Sequence, residues 1–295
     1  MRVDEHAGAD GFRAAAEAFL EREEAENNPV LGRMERFGLP GGTGIVRAFG
    51  VRAGAEVLAA AVETGARGLL LSVGPRAAFE ALAEELRSRG ADISSADGPE
   101  PAVAAFGARW CALAGARADV HMQLRLHRLD AVRELEYAPG VLRAAQPSDL
   151  TLAARWWQAF CAEASVPAPP PGRVPALEQG RLFLWEPGPG RAPAAMAAWS
   201  RPTRRGCSVG GVYTPPEERG QGCATALVAA LSRHLLGEGR TFCTLFTDRA
   251  NPVSNRIYAR IGYRALADHV RVGFAPHSSA LDEGVPGRAA IPPLP

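Results

Sequence analysis

The stretch that decides the fold begins at residue 209 and reads VGGVYTPPEERGQGCATALVAAL, residues 209–231. Its opening residues predict a strand, which Pro215 and Pro216 end because proline cannot continue a ladder of hydrogen bonds. An apolar helical run follows over residues 224–236. The glycine-containing turn before a helix leaves backbone N–H groups free, and the helix N-terminus adds partial positive charge. This arrangement predicts a cradle for phosphate.

The cradle has a pattern of its own, R-x-x-G-x-A from Arg219 to Ala224. Its spacing excludes both the dinucleotide fingerprint G-x-G-x-x-G and the P-loop, which needs G-K-[ST]. About thirty residues downstream the chain reads NPVSNRIYARIGY, residues 251–263. Together the two motifs resemble the two signatures of the GCN5-related N-acetyltransferases (GNAT). The resemblance covers residues 140–274, about half of the chain.

The resemblance implies an acyl-CoA donor held by backbone groups. The loop residues expected to bind its pyrophosphate are Arg219, as a counter-charge, and Gly220, Gln221, Gly222, Cys223, Ala224 and Thr225. The family's strand before this loop separates from its neighbour, so its exposed backbone binds the pantetheine arm and the thioester carbonyl. The matching positions are Val212, Tyr213 and Thr214. Gly210 and Gly211 fit a β-bulge there.

The resemblance also implies roles for the second motif. Tyr258 is the expected general acid that protonates the leaving thiolate, and the alternative is a core tyrosine. Asn251 and Asn255 are expected to bond the pantetheine amides, although Asn251 is equally suited to cap the following helix. Asp248 and Glu186 are candidate bases, each with a solvated or capping alternative. No base is assigned.

The totals fit a folded protein with an anionic ligand. The chain has 295 residues, 47% of them hydrophobic, and a net charge of +1. Residues 1–146 hold 17 arginines against 21 acidic residues, whereas residues 147–295 hold 16 against 11. The cationic half is the one with the phosphate loop, as an anionic substrate would favour. Lysine is absent, which excludes Schiff-base chemistry. The charge balance does not favour DNA binding.

Cysteine usage and the ends of the chain predict a reduced, cytoplasmic protein. Five scattered cysteines form no C-x-x-C pair and no His-containing cluster, so no metal site is expected. Cys223 is a weak candidate nucleophile, because no histidine lies near it in sequence. The polar N-terminus does not resemble a signal peptide. No apolar run approaches the roughly 20 residues of a membrane span.

The order of predicted elements repeats, which indicates an α/β fold of two tandem GNAT-like domains. Each would be a mixed, mostly antiparallel twisted sheet flanked by helices. Residues 1–138 would form a degenerate first copy that walls the cleft or stabilises the second. Residues 139–274 would form the catalytic copy, and 275–295 a disordered tail. In the first copy the strand GLLLSV is followed by Gly74-Pro75-Arg76, without the spacing of the phosphate loop. The turn LPGGTG, residues 39–44, is a weaker candidate phosphate site.

These expectations converge on an N-acyltransferase that works in a ternary complex. It would move an acyl group, expected to be acetyl from acetyl-CoA, to the amine of a small molecule. One alternative keeps the fold and takes the acyl group from aminoacyl-tRNA, as in natural-product biosynthesis. The basic second half and the pair Arg204-Arg205 permit it. The other alternative is a CoA-binding module without catalytic activity. A homodimer is compatible with either.

Overall fold

The computed structural model describes residues 1–6, 8–34, 44–65 and 68–276. Twelve strands in this part of the chain form one mixed sheet. They are β1 (Arg2–His6), β2 (Ile45–Ala53), β3 (Glu56–Thr64), β4 (Gly68–Leu71), β5 (Ser95–Pro99), β6 (Ala116–Leu129), β7 (Val141–Ala144), β8 (Leu182–Glu186), β9 (Ala195–Ser200), β10 (Gly206–Tyr213), β11 (Phe242–Asp248) and β12 (Arg264–Pro276). The helices are α1 (Ala9–Leu20), α2 (Asn28–Leu31), α3 (Arg76–Ser88), α4 (Glu100–Ala114), α5 (Leu150–Glu163), α6 (Pro175–Glu178), α7 (Cys223–Gly237) and α8 (Pro252–Ile261).

Each half of the sheet is covered by helices on both faces. In the first half, α3 and α4 cover one face around Phe79 and Phe106, and α1 and α2 cover the other around Phe12. In the second half, α7 and α8 cover one face around Leu227, and α5 covers the other around Trp156. The apolar runs of the sequence are therefore buried between sheet and helix, as the hydrophobic effect requires.

The two halves exchange their last strands. The strand order is β1-β2-β3-β4-β5-β12-β6-β11-β10-β9-β8-β7. This order is symmetric, because each strand of the first half (β1–β6) has its counterpart in the second half (β7–β12) at the same distance from the opposite edge. Strand β6 is the last strand of the first half but pairs with β11. Strand β12 is the last described strand of the second half but pairs with β5. Strands β6 and β12 also pair with each other, antiparallel. Each half thus covers what would be an open sheet edge in the other.

This architecture confirms the predicted fold class, a tandem of two similar mixed sheets flanked by helices. The strand exchange joins the two sheets into one sheet of twelve strands. The domain limits at 138 and 139 stay a prediction. The sequence did not predict strand β1. The polar N-terminus was used only as an argument against a signal peptide. Strand β12 continues to Pro276, two residues into the predicted tail. Residues 277–295 of that tail lie outside the described residues, as does most of the turn at 39–44.

None of the helices within the described residues has the length and hydrophobicity needed to cross a bilayer. In the same part of the chain, no three His, Cys, Asp or Glu side chains come together as a metal site would require.

Candidate active site

The site is built where β10 and β11 part. These parallel strands pair only over Gly206–Ser208 and Phe242–Thr244. Beyond that point β10 continues to Tyr213 without a partner on its β11 side, within the described residues. The far edge of β11 is occupied by β6. The predicted separation of the strand before the loop is therefore present, and it leaves backbone donors and acceptors facing the gap.

A β-bulge reverses the faces of β10 just before the loop. The pairing with β9 shifts register between Gly210 and Tyr213, and Gly211 has a φ of +60°. After the shift, Val212 packs on the α7 side, whereas Tyr213 packs with Trp156 on the α5 side. The bulge expected from the two glycines is confirmed. Glycine suits this position because a left-handed backbone carries little steric cost without a side chain.

The phosphate loop has donors to offer. Within the described part of the chain, no amide from Gly220 to Thr225 donates a hydrogen bond to another residue, and the Cys223 amide contacts its own thiol. The first helical amide that does so is that of Ala226, which donates to the Gly222 carbonyl at 3.0 Å. Gly222 is the N-cap residue just before α7 and has a φ of +80°. Because it has no side chain, it makes no capping hydrogen bond to the first amides of the helix. Consecutive amides at a helix N-terminus form a concave anion site.

The corresponding loop of the first half offers fewer donors. Residues 72–75 link β4 to α3, whereas residues 214–222 link β10 to α7. The amide of Ser72 donates to the Ala60 carbonyl at 2.9 Å, and that of Val73 donates to Asn27 Oδ1 at 3.0 Å. Pro75 has no N–H. The contrast agrees with the prediction that the first copy lacks a phosphate cradle.

Thr214 and Arg219 flank the loop and have different surroundings. The Thr214 hydroxyl is buried and has no hydrogen-bond partner among the described residues. The Arg219 guanidinium donates to the Thr214 carbonyl at 2.9 Å and to both carboxylate oxygens of Glu163, at 2.7 and 3.0 Å. Arg219 therefore braces the loop against the end of α5, a contact that the sequence did not predict.

Cys223 begins α7 but has the environment of a structural residue. Its side chain is buried, and burial together with the nearby Glu218 raises the pKa of its thiol. A thiol that stays protonated is a poor nucleophile. The weak nucleophile hypothesis gains no support from this geometry.

Tyr258 lies on α8, packed against the core that α7 and α8 form. Burial raises the pKa of Tyr258 to about 12, so its phenol is protonated at neutral pH. Its hydroxyl has no hydrogen-bond partner in the described residues, and its ring contacts the Tyr263 ring edge-on at 6.0 Å between centroids. A protonated phenol without a partner is able to donate a proton, as the expected role requires.

The two asparagines of the second motif are engaged inside the protein. Asn251 Oδ1 accepts from the amides of Val253 and Ser254 at 3.1 and 3.0 Å, which is an N-cap. Asn255 Oδ1 accepts from the Thr247 hydroxyl at 2.6 Å. Asn255 Nδ2 donates at 3.4 Å to two backbone carbonyls at the end of β11. Of the two roles foreseen for Asn251, the cap is observed, and pantetheine binding by either residue stays a prediction.

His127 is a polar residue of this region that the sequence did not single out. Its Nε2 lies 3.0 Å from the Thr247 hydroxyl, which in turn bonds Asn255. The ring is buried, and burial followed by the charge of Arg125 lowers its pKa. His127 and Thr247 are 120 positions apart, so no local sequence pattern could have indicated the contact.

The candidate bases have structural partners. Glu186 accepts from Arg143 at 2.6 Å. Asp248 Oδ1 accepts from the Ala250 amide at 2.8 Å in the turn after β11. Asp248 thus matches the capping or solvated alternative, whereas Glu186 is ion-paired with Arg143, and no base is assigned.

The arginine pair that permitted a tRNA donor is also engaged. Arg204 contacts Glu21 at 3.2 Å, and Arg205 contacts Glu24 at 2.6 Å. Thr203 donates to the same Glu24 carboxylate at 2.7 Å. These contacts fasten the β9–β10 turn of the second half to the first half.

Comparisons with known proteins agree with this geometry. The family model described as FR47-like protein matches residues 190–272, which include the loop and the second motif. No curated protein matches the chain at a significant level.

Several solved structures are similar over almost the whole chain. A GCN5-related N-acetyltransferase from Sphaerobacter thermophilus is 18% identical with a TM-score of 0.57, over 92% of this chain and 94% of its own. An acetyltransferase from the GNAT family of Colwellia psychrerythraea is 16% identical with a TM-score of 0.55, over 93% and 99%. A tandem GNAT protein from the clavulanic acid biosynthesis pathway is 13% identical with a TM-score of 0.50, over 95% and 100%. The chain therefore has the fold of the GNAT superfamily in a tandem arrangement, and its second half is similar to the FR47-like family.

Proposed function

We propose that the second half of the chain transfers an acyl group, in the simplest case acetyl, from acyl-CoA to the amine of a small molecule. The observation that carries this proposal is the run of amides from Gly220 to Thr225, which have no acceptor on any other described residue and lie beside two parting strands. Amides at a helix N-terminus suit a pyrophosphate. The gap between β10 and β11 suits an extended arm with amide groups of its own.

The residues of β10 and its loop would hold the donor. Within the described residues, β10 has no strand partner on its β11 side at Val212 and Tyr213, and the buried Thr214 hydroxyl has free hydrogen-bonding capacity. A buried polar group without a partner is costly, so a ligand that bonds it recovers that cost. In the proposed reaction these backbone donors also stabilise the oxyanion that develops on the thioester carbonyl.

The chemistry is a direct transfer in a ternary complex. The amine nitrogen forms a bond to the thioester carbonyl carbon, and the carbon–sulfur bond then breaks. Tyr258 gives its phenolic proton to the leaving thiolate, and solvent takes the proton lost by the amine. At a pKa of about 12, Tyr258 keeps its phenolic proton throughout the neutral range, so the proton is in place when the thiolate leaves.

The alternative donor, aminoacyl-tRNA, receives less support. It relied on the basic second half and on Arg204 and Arg205, and both of these arginines are paired with glutamates of the first half. An ion-paired arginine contributes less to phosphate binding than a free one.

A matched pair of variants tests the phosphate loop. Gly220 has a φ of +80°, and a Cβ there meets nothing within 4 Å. Asn and Asp tolerate that backbone conformation best among residues with a side chain. Gly220→Asp adds a negative charge to the cradle, and Gly220→Asn is its neutral control. We expect Gly220→Asp to bind CoA at least about tenfold more weakly than Gly220→Asn, by calorimetry.

Thiol release from acetyl-CoA with a panel of small amines tests the reaction itself. Amine-dependent release by the wild type supports transfer. CoA binding without release by any amine would instead identify a module without catalytic activity. Equal CoA affinities in the two Gly220 variants would remove the loop from the site.

A further inference from the structure

A cavity of about 380 Å³ lies at the carboxyl ends of the parallel strands β4 and β5 of the first half, beside β12 of the second half. Its position in the first half corresponds to that of the gap between β10 and β11 in the second. The wall is mostly apolar, from Val73, Pro99, Pro101, Ala102 and Ala267. The size and the lining suit a small organic molecule.

Among the described residues, the charges that line this cavity do not balance. Three carboxylates line it: Glu26, Glu100 and Asp268. Arg125 donates two hydrogen bonds to Asp268, at 2.8 and 3.2 Å. Arg249 lies 3.1 Å from Glu100 and 3.6 Å from Asp268. These two arginines compensate two of the three carboxylates.

Glu26 is the third carboxylate, and neither Arg125 nor Arg249 contacts it. It has no ion pair and no hydrogen bond to its side chain within the described residues, although it is half-buried. Burial, and then the charge of Glu23, raise the pKa of Glu26. A partly desolvated carboxylate is stabilised when a cation approaches it.

We propose that this cavity binds a small organic ammonium ion, with Glu26 as its counter-ion and the apolar wall around its aliphatic part. The ligand sits in the half of the chain that lacks a phosphate cradle. The proposal goes beyond the transfer reaction, because it requires neither acyl-CoA nor turnover. Either one can fail without the other.

Titration of the full-length protein with n-hexylamine hydrochloride, without acyl-CoA, tests the site. Followed by NMR or calorimetry at pH 7.5, hexylammonium should bind saturably at one site. The neutral analogue 1-hexanol should bind at least about tenfold more weakly. Glu26→Gln should weaken hexylammonium about tenfold and leave hexanol unchanged, because only the charge has been removed. Glu23→Gln, at an exposed neighbour, should change neither affinity by more than about twofold.

A second variant locates the ligand. Ala267→Phe narrows the cavity from the β12 side and should weaken both hexylammonium and hexanol. Melting temperatures of all three variants establish that the fold is retained. The proposal is overturned if Glu26→Gln binds hexylammonium as tightly as the wild type, if hexanol binds equally well, if Ala267→Phe leaves both affinities unchanged, or if binding does not saturate.

Discussion

Tyr258 in α8 and Tyr263 just after it differ in the hydrogen bonding of their hydroxyl groups, and this difference separates a structural role from a catalytic one. The Tyr263 hydroxyl shares a buried hydrogen bond of 2.8 Å with Ser232. The Tyr258 hydroxyl has no such partner in the described part of the chain, although its ring contacts that of Tyr263. Hydrogen bonding therefore accounts for the first phenol but not for the second. This difference supports the proposal that Tyr258 is the general acid.

Tyr258→Phe tests that role at the level of the reaction. We expect kcat to fall about 100-fold, the lower end for general acid catalysis, with the KM for acetyl-CoA unchanged. Because the pKa of Tyr258 is about 12, the wild-type kcat should show no loss from deprotonation of this phenol up to about pH 11. Thiol-release kinetics across pH measure both effects. Wild-type turnover in the variant would leave Tyr258 as a core residue.

Tyr263→Phe is the structural counterpart. It leaves the buried Ser232 hydroxyl without its partner, which should cost about 1–3 kcal/mol of unfolding free energy. Tyr258→Phe should cost less than about 0.5 kcal/mol, because it breaks no hydrogen bond. Urea denaturation of the two variants compares the costs directly. The reverse order would mean that the two hydroxyls have been assigned the wrong way round.

At the scale of an element, the bulge in β10 sets the geometry of the gap. It turns Val212 and Tyr213 to the faces opposite to those that regular pairing would give. The sequence indicated the bulge through Gly210 and Gly211. It did not indicate which glycine takes the left-handed conformation, nor that Gly211 lies against Trp157 from α5. A Cβ on Gly211 would lie 2.9 Å from the Trp157 ring.

The two glycines should therefore respond differently to alanine. Gly211→Ala adds a methyl group against Trp157 and a residue with a positive φ, so we expect a loss of about 2 kcal/mol or more. Gly210→Ala should be nearly neutral, since a Cβ there meets nothing within 4 Å. Thermal denaturation of both variants tests this. Equal melting temperatures would argue against the bulge as described.

At the scale of the whole molecule, the sequence predicted local units better than their assembly. The strand, loop and helix over residues 206–237 follow from proline, glycine and apolar periodicity, which act within a few residues. The exchange of β6 and β12 depends on pairing between strands more than a hundred residues apart, as in Arg125 with Asp268. The bracing of Arg219 by Glu163 is likewise non-local. Only the tertiary structure reveals such contacts.

Glu24 is a buried link between the halves, and it should make stability depend on pH. Burial alone would raise its pKa, but hydrogen bonds from Thr203 and Arg205 lower it below the ordinary value of 4.5. Its contribution is therefore present above about pH 4.5 and is lost as the pH falls through the lowered pKa.

Glu24→Gln should lower the melting temperature at pH 7 by about 2–4 °C. The difference from the wild type should shrink as the pH falls below 4.5. Glu21→Gln, which removes only the more exposed contact with Arg204, should have little effect at either pH. Differential scanning calorimetry at several pH values measures the difference. A constant gap between Glu24→Gln and wild type at all pH values would contradict the linkage.

The most direct measurement is an NMR titration of the ¹⁵N-labelled chain with CoA. Our account predicts that the amide signals of residues 220–225 shift on binding, because those N–H groups gain phosphate acceptors. The amides of residues 72–74, in the corresponding loop of the first half, should stay in place. Saturating CoA binding that leaves the signals of 220–225 unchanged, or no binding at all, would contradict the central claim.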